Sequence, residues 1–198
     1  MKLIVGLGNP GKEYRQSRHN IGREFVMDLA LTSAEEQMRW KSKFDSIILE
    51  TTVHKEKILF ALPETFMNLS GQAVAKIVNF YHLSAESVLV VHDEMDFAPG
   101  IFAYGKNGGS AGHNGIASIM ESLGSGAFSR LRIGVGRPKP GFKSEAYVLQ
   151  KMDPDERVLV DKQLKSAKSS VLCWISFGID KTMNTWNVVK SERSPMDK

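Results

Sequence analysis

The sequence predicts a single-domain α/β fold, a three-layer sandwich in which helices flank a mixed central β-sheet. Short apolar runs of strand length alternate along the chain with longer stretches whose apolar residues recur at helical spacing, as strands joined by covering helices require. Two of the strands are joined by a link too short for anything but antiparallel pairing, so the sheet is mixed. The 198 residues, 42% of them hydrophobic, are enough for one well-buried core and short for two. One domain over 1–190 is therefore expected, followed by a polar tail, 191–198.

Leu3-Ile4-Val5 is an apolar run short enough for a buried first strand, and Gly6-Leu7-Gly8-Asn9-Pro10-Gly11 breaks it at once. A polar and basic loop continues to Arg18-His19-Asn20. Ile21, Phe25, Val26, Leu29 and Ala30 then mark the inner face of a helix that Asn20 is placed to cap. After a polar stretch over 32–43, residues 44–54 and 58–62 read as a hairpin with the link Lys55-Glu56-Lys57. Pro63 ends the second of these strands and opens a loop to Asn68. The next helix, capped by Ser70 or a neighbour, buries Ala73, Val74, Ile77, Val78 and Tyr81.

Val88-Leu89-Val90-Val91 is apolar throughout, as a central strand covered on both faces must be, and it delivers His92-Asp93-Glu94 to the same edge. A Pro99-Gly100 turn leads to a strand at 101–104. The glycine-rich loop 105–115 allows close backbone approach to a ligand and opens a helix with Ile116, Ile119, Met120 and Leu123 inward. A strand at 131–135 precedes a basic Pro/Gly loop, 137–143. Asp153, Pro154, Asp155 and Glu156 start a long helix to about residue 177, with Lys162, Lys165 and Lys168 expected on its outer side. A short last helix is expected around 181–188.

The formal net charge is +4, with both signs spread along the chain, a balance compatible with a polyanionic partner without requiring one. The single cysteine, Cys173, excludes an internal disulfide, and no Cys/His spacing suits zinc; a reducing, cytoplasmic setting fits. The first strand begins without a preceding signal segment, and no apolar run reaches the roughly 18 residues of a membrane span.

Four loops should meet beyond the strand ends, where open α/β sheets bind ligands. They bring together Asn9, Tyr14 and His19; Phe66 and Asn68; Asp93; and His113 and Asn114. That set suits hydrolysis by an activated water. An imidazole takes a proton from water near neutral pH when its other ring nitrogen donates to a carboxylate, which makes His19 the candidate base and Asp93 its partner. An Asn amide donates to the oxyanion of a tetrahedral intermediate. The scheme needs neither metal nor cofactor. Each residue alone also has a plainer reading: His19 or Asn114 as a cap, Asp93, Asn9 and Asn68 as turn residues, His92 and His113 as supporting or solvent-facing. Two rival chemistries fit less well. Residues 6–11 satisfy G-x-G-x-x-G, but only Tyr14 follows to be buried, and Asp28 falls within the next helix instead of after a second strand. No serine lies in a G-x-S-x-G turn, and Ser110 has no other mark of a nucleophile.

The segments VGLGNPGKEYRQSRHNIG, LPETFMNLSGQAV, VVHDEMDFAPG, GGSAGHNGIASI and RLRIGVGRP together resemble, in this order, the bacterial-type peptidyl-tRNA hydrolase family. The resemblance implies cleavage of the ester between a peptide and the 3′-terminal ribose of tRNA, recycling tRNA from aborted translation, by a monomer without metal or cofactor. It implies that His19 is the general base acting on water and Asp93 orients it. Asn9 would distinguish an N-acylated substrate from one with a free amine, and Tyr14, Phe66, Asn68 and Asn114 would contact the tRNA end or the adjoining peptide. Two positions depart from the family pattern. Ala111 replaces a glycine, and Gly105 stands where a basic residue would meet a tRNA phosphate, leaving Lys106 and Arg132 as candidates. The loop 137–143 and the lysines of the long helix are further phosphate candidates, which would position tRNA without reading its sequence. A non-catalytic RNA-binding protein on the same fold is the alternative; the presence of His19, Asp93 and all three Asn residues argues against it.

Overall fold

The computed structural model describes residues 1–33 and 39–187. Strands β1 (Lys2–Gly6), β4 (Glu56–Pro63), β5 (Val88–Glu94) and β7 (Ser129–Gly134) run parallel to one another. Antiparallel to their neighbours are β3 (Ser46–Val53), paired with β4 and with the short β2 (Lys41–Lys43), and β6 (Phe102–Gly105), paired with β7. Among the described residues they form one mixed sheet, in the order β2-β3-β4-β1-β5-β7-β6.

Both faces of the sheet are covered. Helices α1 (Ile21–Ser33) and α5 (Pro154–Trp186) bury Phe25, Val26, Val171 and Trp174 against Ile4, Phe60 and Val91. On the other side α2 (Ser70–Tyr81) and α3 (Asn114–Leu123) bury Val74, Ile77, Ile116 and Ile119 against Leu3, Val5 and Val90. The period-2 alternation of β1 sends Ile4 to one core and Leu3 and Val5 to the other, so a central strand must be apolar at every position. Each such side chain contributes about 1.5–3 kcal/mol on full burial. No helix among the described residues is long and apolar enough to cross a membrane.

The structure corrects several local expectations. The β3–β4 turn is His54-Lys55, both left-handed at φ 50° and 68°, so β4 begins at Glu56 instead of after a three-residue link. Such a two-residue turn matches the right-handed twist of the paired strands. Residues 41–43 form β2 instead of a loop; exposed on both faces at the sheet edge, Lys41-Ser42-Lys43 has no apolar alternation to announce a strand. Helix α4 (Ser144–Val148) was not expected. Ser70 makes no capping bond to α2 and is fully buried. Asp153 and Glu156 form a capping box at the expected start of α5, and that helix kinks at Gly178, φ 77°, between the two helices the sequence suggests. The end of the last helix at 188 and the polar tail lie outside the described residues.

Candidate active site

The carboxyl ends of β1, β4 and β5 lie at one edge of the sheet, and the polar loop after β1 is fixed there at several points. Leu7 N donates to Val91 O at 3.0 Å, and Arg23 N of α1 donates to Leu7 O at 2.8 Å. Asn20 does not cap α1 as expected. Its Oδ1 accepts from Asn9 N and its Nδ2 donates to Asn9 O, both at 2.9 Å, because a carboxamide carries the donor and acceptor that complement one residue's backbone. Arg18, only 3% exposed, reaches Glu156 at 2.5 Å and Lys151 O at 2.6 Å and lies over the Tyr147 ring. These contacts hold His19 still although it stands outside any long element.

His19 Nδ1 lies 2.8 Å from Asp93 Oδ1. The carboxylate accepts, so Nδ1 carries the proton and Nε2 is left with a free lone pair. His113 Nε2 approaches the same oxygen at 3.0 Å. Burial by itself raises the Asp93 carboxyl, but the electrostatic attraction and hydrogen bonds of the two imidazoles outweigh it and hold the group far below the usual carboxylate range. The neighbouring His92 donates from Nδ1 to Asp93 O at 2.7 Å, and burial, helped by His113, pushes it well below the usual imidazole range. It is a neutral strut behind the carboxylate.

These groups open on a cavity of about 420 Å³. Of the residues singled out from the sequence, Asn9, His19, Phe66, Asn68, Asp93, His113 and Asn114 line it. Asn9 Oδ1 accepts from Met67 N at 2.8 Å, which leaves the Asn9 amide N–H groups as the end free to donate. Tyr14 is not brought to the cavity wall: it is half-buried at the end of a short turn, Lys12–Tyr14. The sequence reading missed a wall supplied by Ser144, Glu145, Val148 and Leu149 of α4 and the residue after it. The signal was present as Ser144-Glu145 followed by Tyr147-Val148-Leu149, a helix start too brief to show a period.

A second cavity, about 300 Å³, adjoins the first through His92, Glu94, Ser110 and Ala111 and contains the two candidate phosphate ligands. Arg132 Nη1 stands 3.6 Å from Glu94, and Lys106 Nζ is held 2.5 Å from Asp180, just beyond the α5 kink. Arg130 lines the same cavity and was not singled out; it donates to the carbonyls of Gly108 and Gly109 and so braces the glycine loop. On α5, Lys162 and Lys165 are exposed, whereas Lys168 turns to Asp28 of α1 at 2.6 Å. At 3.6 residues per turn, positions 162 and 168 do not share a face, which corrects the expected three-lysine stripe.

His19, Asp93 and His113 are also the one grouping among the described residues with ligand atoms close enough to hold a metal ion, within 4.8 Å of one another. Their hydrogen bonding does not suit one. His113 Nδ1 already accepts from Gly115 N and Ile116 N, so Nε2 must keep the proton that a metal would displace. The arrangement is a proton-holding site: a fixed imidazole with one free lone pair, a charged carboxylate behind it, and carboxamides around the space in front.

The family model described as peptidyl-tRNA hydrolase matches residues 3–195. A peptidyl-tRNA hydrolase of Syntrophomonas wolfei is 43% identical over 187 residues, 94% of this chain and 100% of that protein. One from Histophilus somni is 40% identical over 192 residues, 96% of this chain and 98% of the relative. The crystal structure of peptidyl-tRNA hydrolase from Acinetobacter baumannii superposes with a TM-score of 0.88 at 36% identity, covering 95% of each chain.

Proposed function

The chain belongs to the peptidyl-tRNA hydrolase family and hydrolyses the ester of peptidyl-tRNA; we propose that it does so with water activated by His19. The observation that carries this reading is the 2.8 Å bond from His19 Nδ1 to a buried, charged Asp93 in the wall of a cavity lined by carboxamides. His19 Nε2 takes a proton from a water in the cavity as that oxygen attacks the ester carbonyl. The imidazolium formed is stabilised by Asp93. When the tetrahedral intermediate collapses, the 3′-oxygen of the ribose leaves and takes the proton back from Nε2. The donors for the developing oxyanion are carboxamides, of which the Asn9 amide is already aligned by Met67 N.

Asn9 would serve the choice of an N-acylated substrate over a free amine, and Phe66, Asn68 and Asn114 would hold the tRNA end and the adjoining peptide. Tyr14 is left for the part of the substrate outside the cavity. Lys106 and Arg132 would face a tRNA phosphate from the second cavity, with Lys106 exchanging Asp180 for it. All these groups come from one chain, so a monomer suffices, acting in the cytoplasm where translation supplies the substrate.

Release of N-acetyl-aminoacyl groups from tRNA by the wild type and His19→Ala tests the reading, with free-amine aminoacyl-tRNA as control. The expected result is selective cleavage of the acylated substrate, reduced about 10²–10⁴-fold in a folded His19→Ala variant. Undiminished cleavage by the variant would remove His19 from the mechanism.

A further inference from the structure

His113 is the imidazole within bonding distance of the Asp93 carboxylate that the scheme above leaves unused. Both of its ring nitrogens are committed. Nδ1 accepts the backbone N–H groups of Gly115 and Ile116, at 3.1 and 3.3 Å, and thereby caps α3. A backbone N–H only donates, so Nδ1 is bare and Nε2 carries the proton, directed at Asp93 Oδ1. His113 is thus held as a donor toward Asp93 by the cap it gives α3.

We propose that His113 is a positioning residue for ester hydrolysis, a donor locked in one tautomer by the α3 N-terminus, which shares the Asp93 oxygen with His19 and so limits how strongly that carboxylate retains a proton on His19. The inference rests on His19 being the base. A base in this reaction must take a proton from water and then surrender it to the leaving oxygen, so a carboxylate that held the imidazolium too firmly would slow the second transfer. One oxygen accepting two donors divides its charge between them. The His113 ring also stands 4.8 Å from that of His19, centroid to centroid, and walls off the side toward α3.

The other groups facing this set do not offer the same control. His92 of β5 is neutral and bonded to Asp93 O, and Arg130 of β7 is occupied by the Gly108 and Gly109 carbonyls. Glu94 of β5 and Glu145 of α4 line the same cavity without an observed bond to either ring.

Two variants separate the roles. His113→Asn removes the ring donor but keeps a residue that caps helices well, whereas His113→Ala removes donor and cap. The readout is the pH profile of kcat and KM on N-acetyl-aminoacyl-tRNA, together with the melting temperature. In both variants the acid limb of kcat is expected to move to higher pH by about half a unit or more, because Asp93 then acts on His19 alone. KM should change less than about threefold, and only the Ala variant should lose cap stability. An acid limb at its wild-type position in folded His113→Asn, with kcat unchanged or reduced equally at every pH, overturns the proposal. Wild-type turnover by His19→Ala would instead overturn the premise, so the two failures are told apart.

Discussion

Gly22→Ala probes the step by which packing sets the catalytic distance. Gly22 lies three residues after His19, on the α1 turn that rests against β5 at Val91. A Cβ there would stand 2.2 Å from Val91 O and 2.8 Å from Val91 C, where ordinary contact begins at 3.4 Å. Both obstacles are backbone atoms of a central strand, so α1 must move outward, by about 1.2 Å if it moves as a body. The His19–Asp93 bond, 2.8 Å in the native chain, would then exceed hydrogen-bond length, since the two residues sit on opposite sides of that contact. Overpacking of this kind costs about 1–3 kcal/mol. For a domain of this size that lowers the melting temperature by about 2–12 °C. A displacement near 1 Å also costs about 10²-fold in turnover. Thermal unfolding and single-turnover cleavage of N-acetyl-aminoacyl-tRNA measure the two effects on one preparation. Wild-type melting temperature together with wild-type turnover would refute the argument.

Three further outcomes are expected. Ala111 adopts φ 49°, a left-handed conformation costing a side-chain-bearing residue roughly 1–2 kcal/mol, so Ala111→Gly should gain up to about 1 kcal/mol after the entropy of glycine is subtracted. Its melting temperature should rise by about 2–4 °C, and a fall would contradict the strain assigned there. Asp180→Asn should free Lys106, tightening tRNA binding up to about fivefold and steepening its salt dependence; an unchanged Kd across salt would remove Lys106 from the footprint. The Asp93 carboxyl is held below its ordinary value of 3.8, so its ionised form stabilises the fold above that pH and the contribution is lost only as pH falls through the depressed value. In urea unfolding, the advantage of the wild type over Asp93→Asn should therefore persist to about pH 4 and shrink below it; an advantage vanishing between pH 7 and 5 would place the titration elsewhere.

The layers of the fold were legible because both periodicities are strong: β1 is apolar at every buried position and β5 over residues 88–91, and α1, α2 and α3 each show a clear inner face. The meeting of Asn9, His19, Asn68, Asp93 and Asn114 followed from placing their loops at one sheet edge. What stayed hidden depends on partners distant in sequence or on geometry without a local pattern. Asn20 reads as a cap until Asn9 is seen opposite it, and His113 reads as a loop residue until its two ring nitrogens are assigned. The α4 wall is one turn long, and β2 is an exposed edge without alternation. Lys106 is singled out by the family resemblance as a phosphate candidate, but the claim of Asp180 on it crosses from the glycine loop to the far part of α5.

The central claim is that the free lone pair of His19 removes a proton from water. Chemical rescue tests it most directly: the single-turnover rate of N-acetyl-aminoacyl-tRNA cleavage by folded His19→Gly, with a series of imidazoles of increasing basicity added. The account predicts a slow basal rate and a saturable recovery that grows with the basicity of the added imidazole. A basal rate equal to the wild type, or a slow variant that no imidazole small enough to enter the cavity restores, would contradict it.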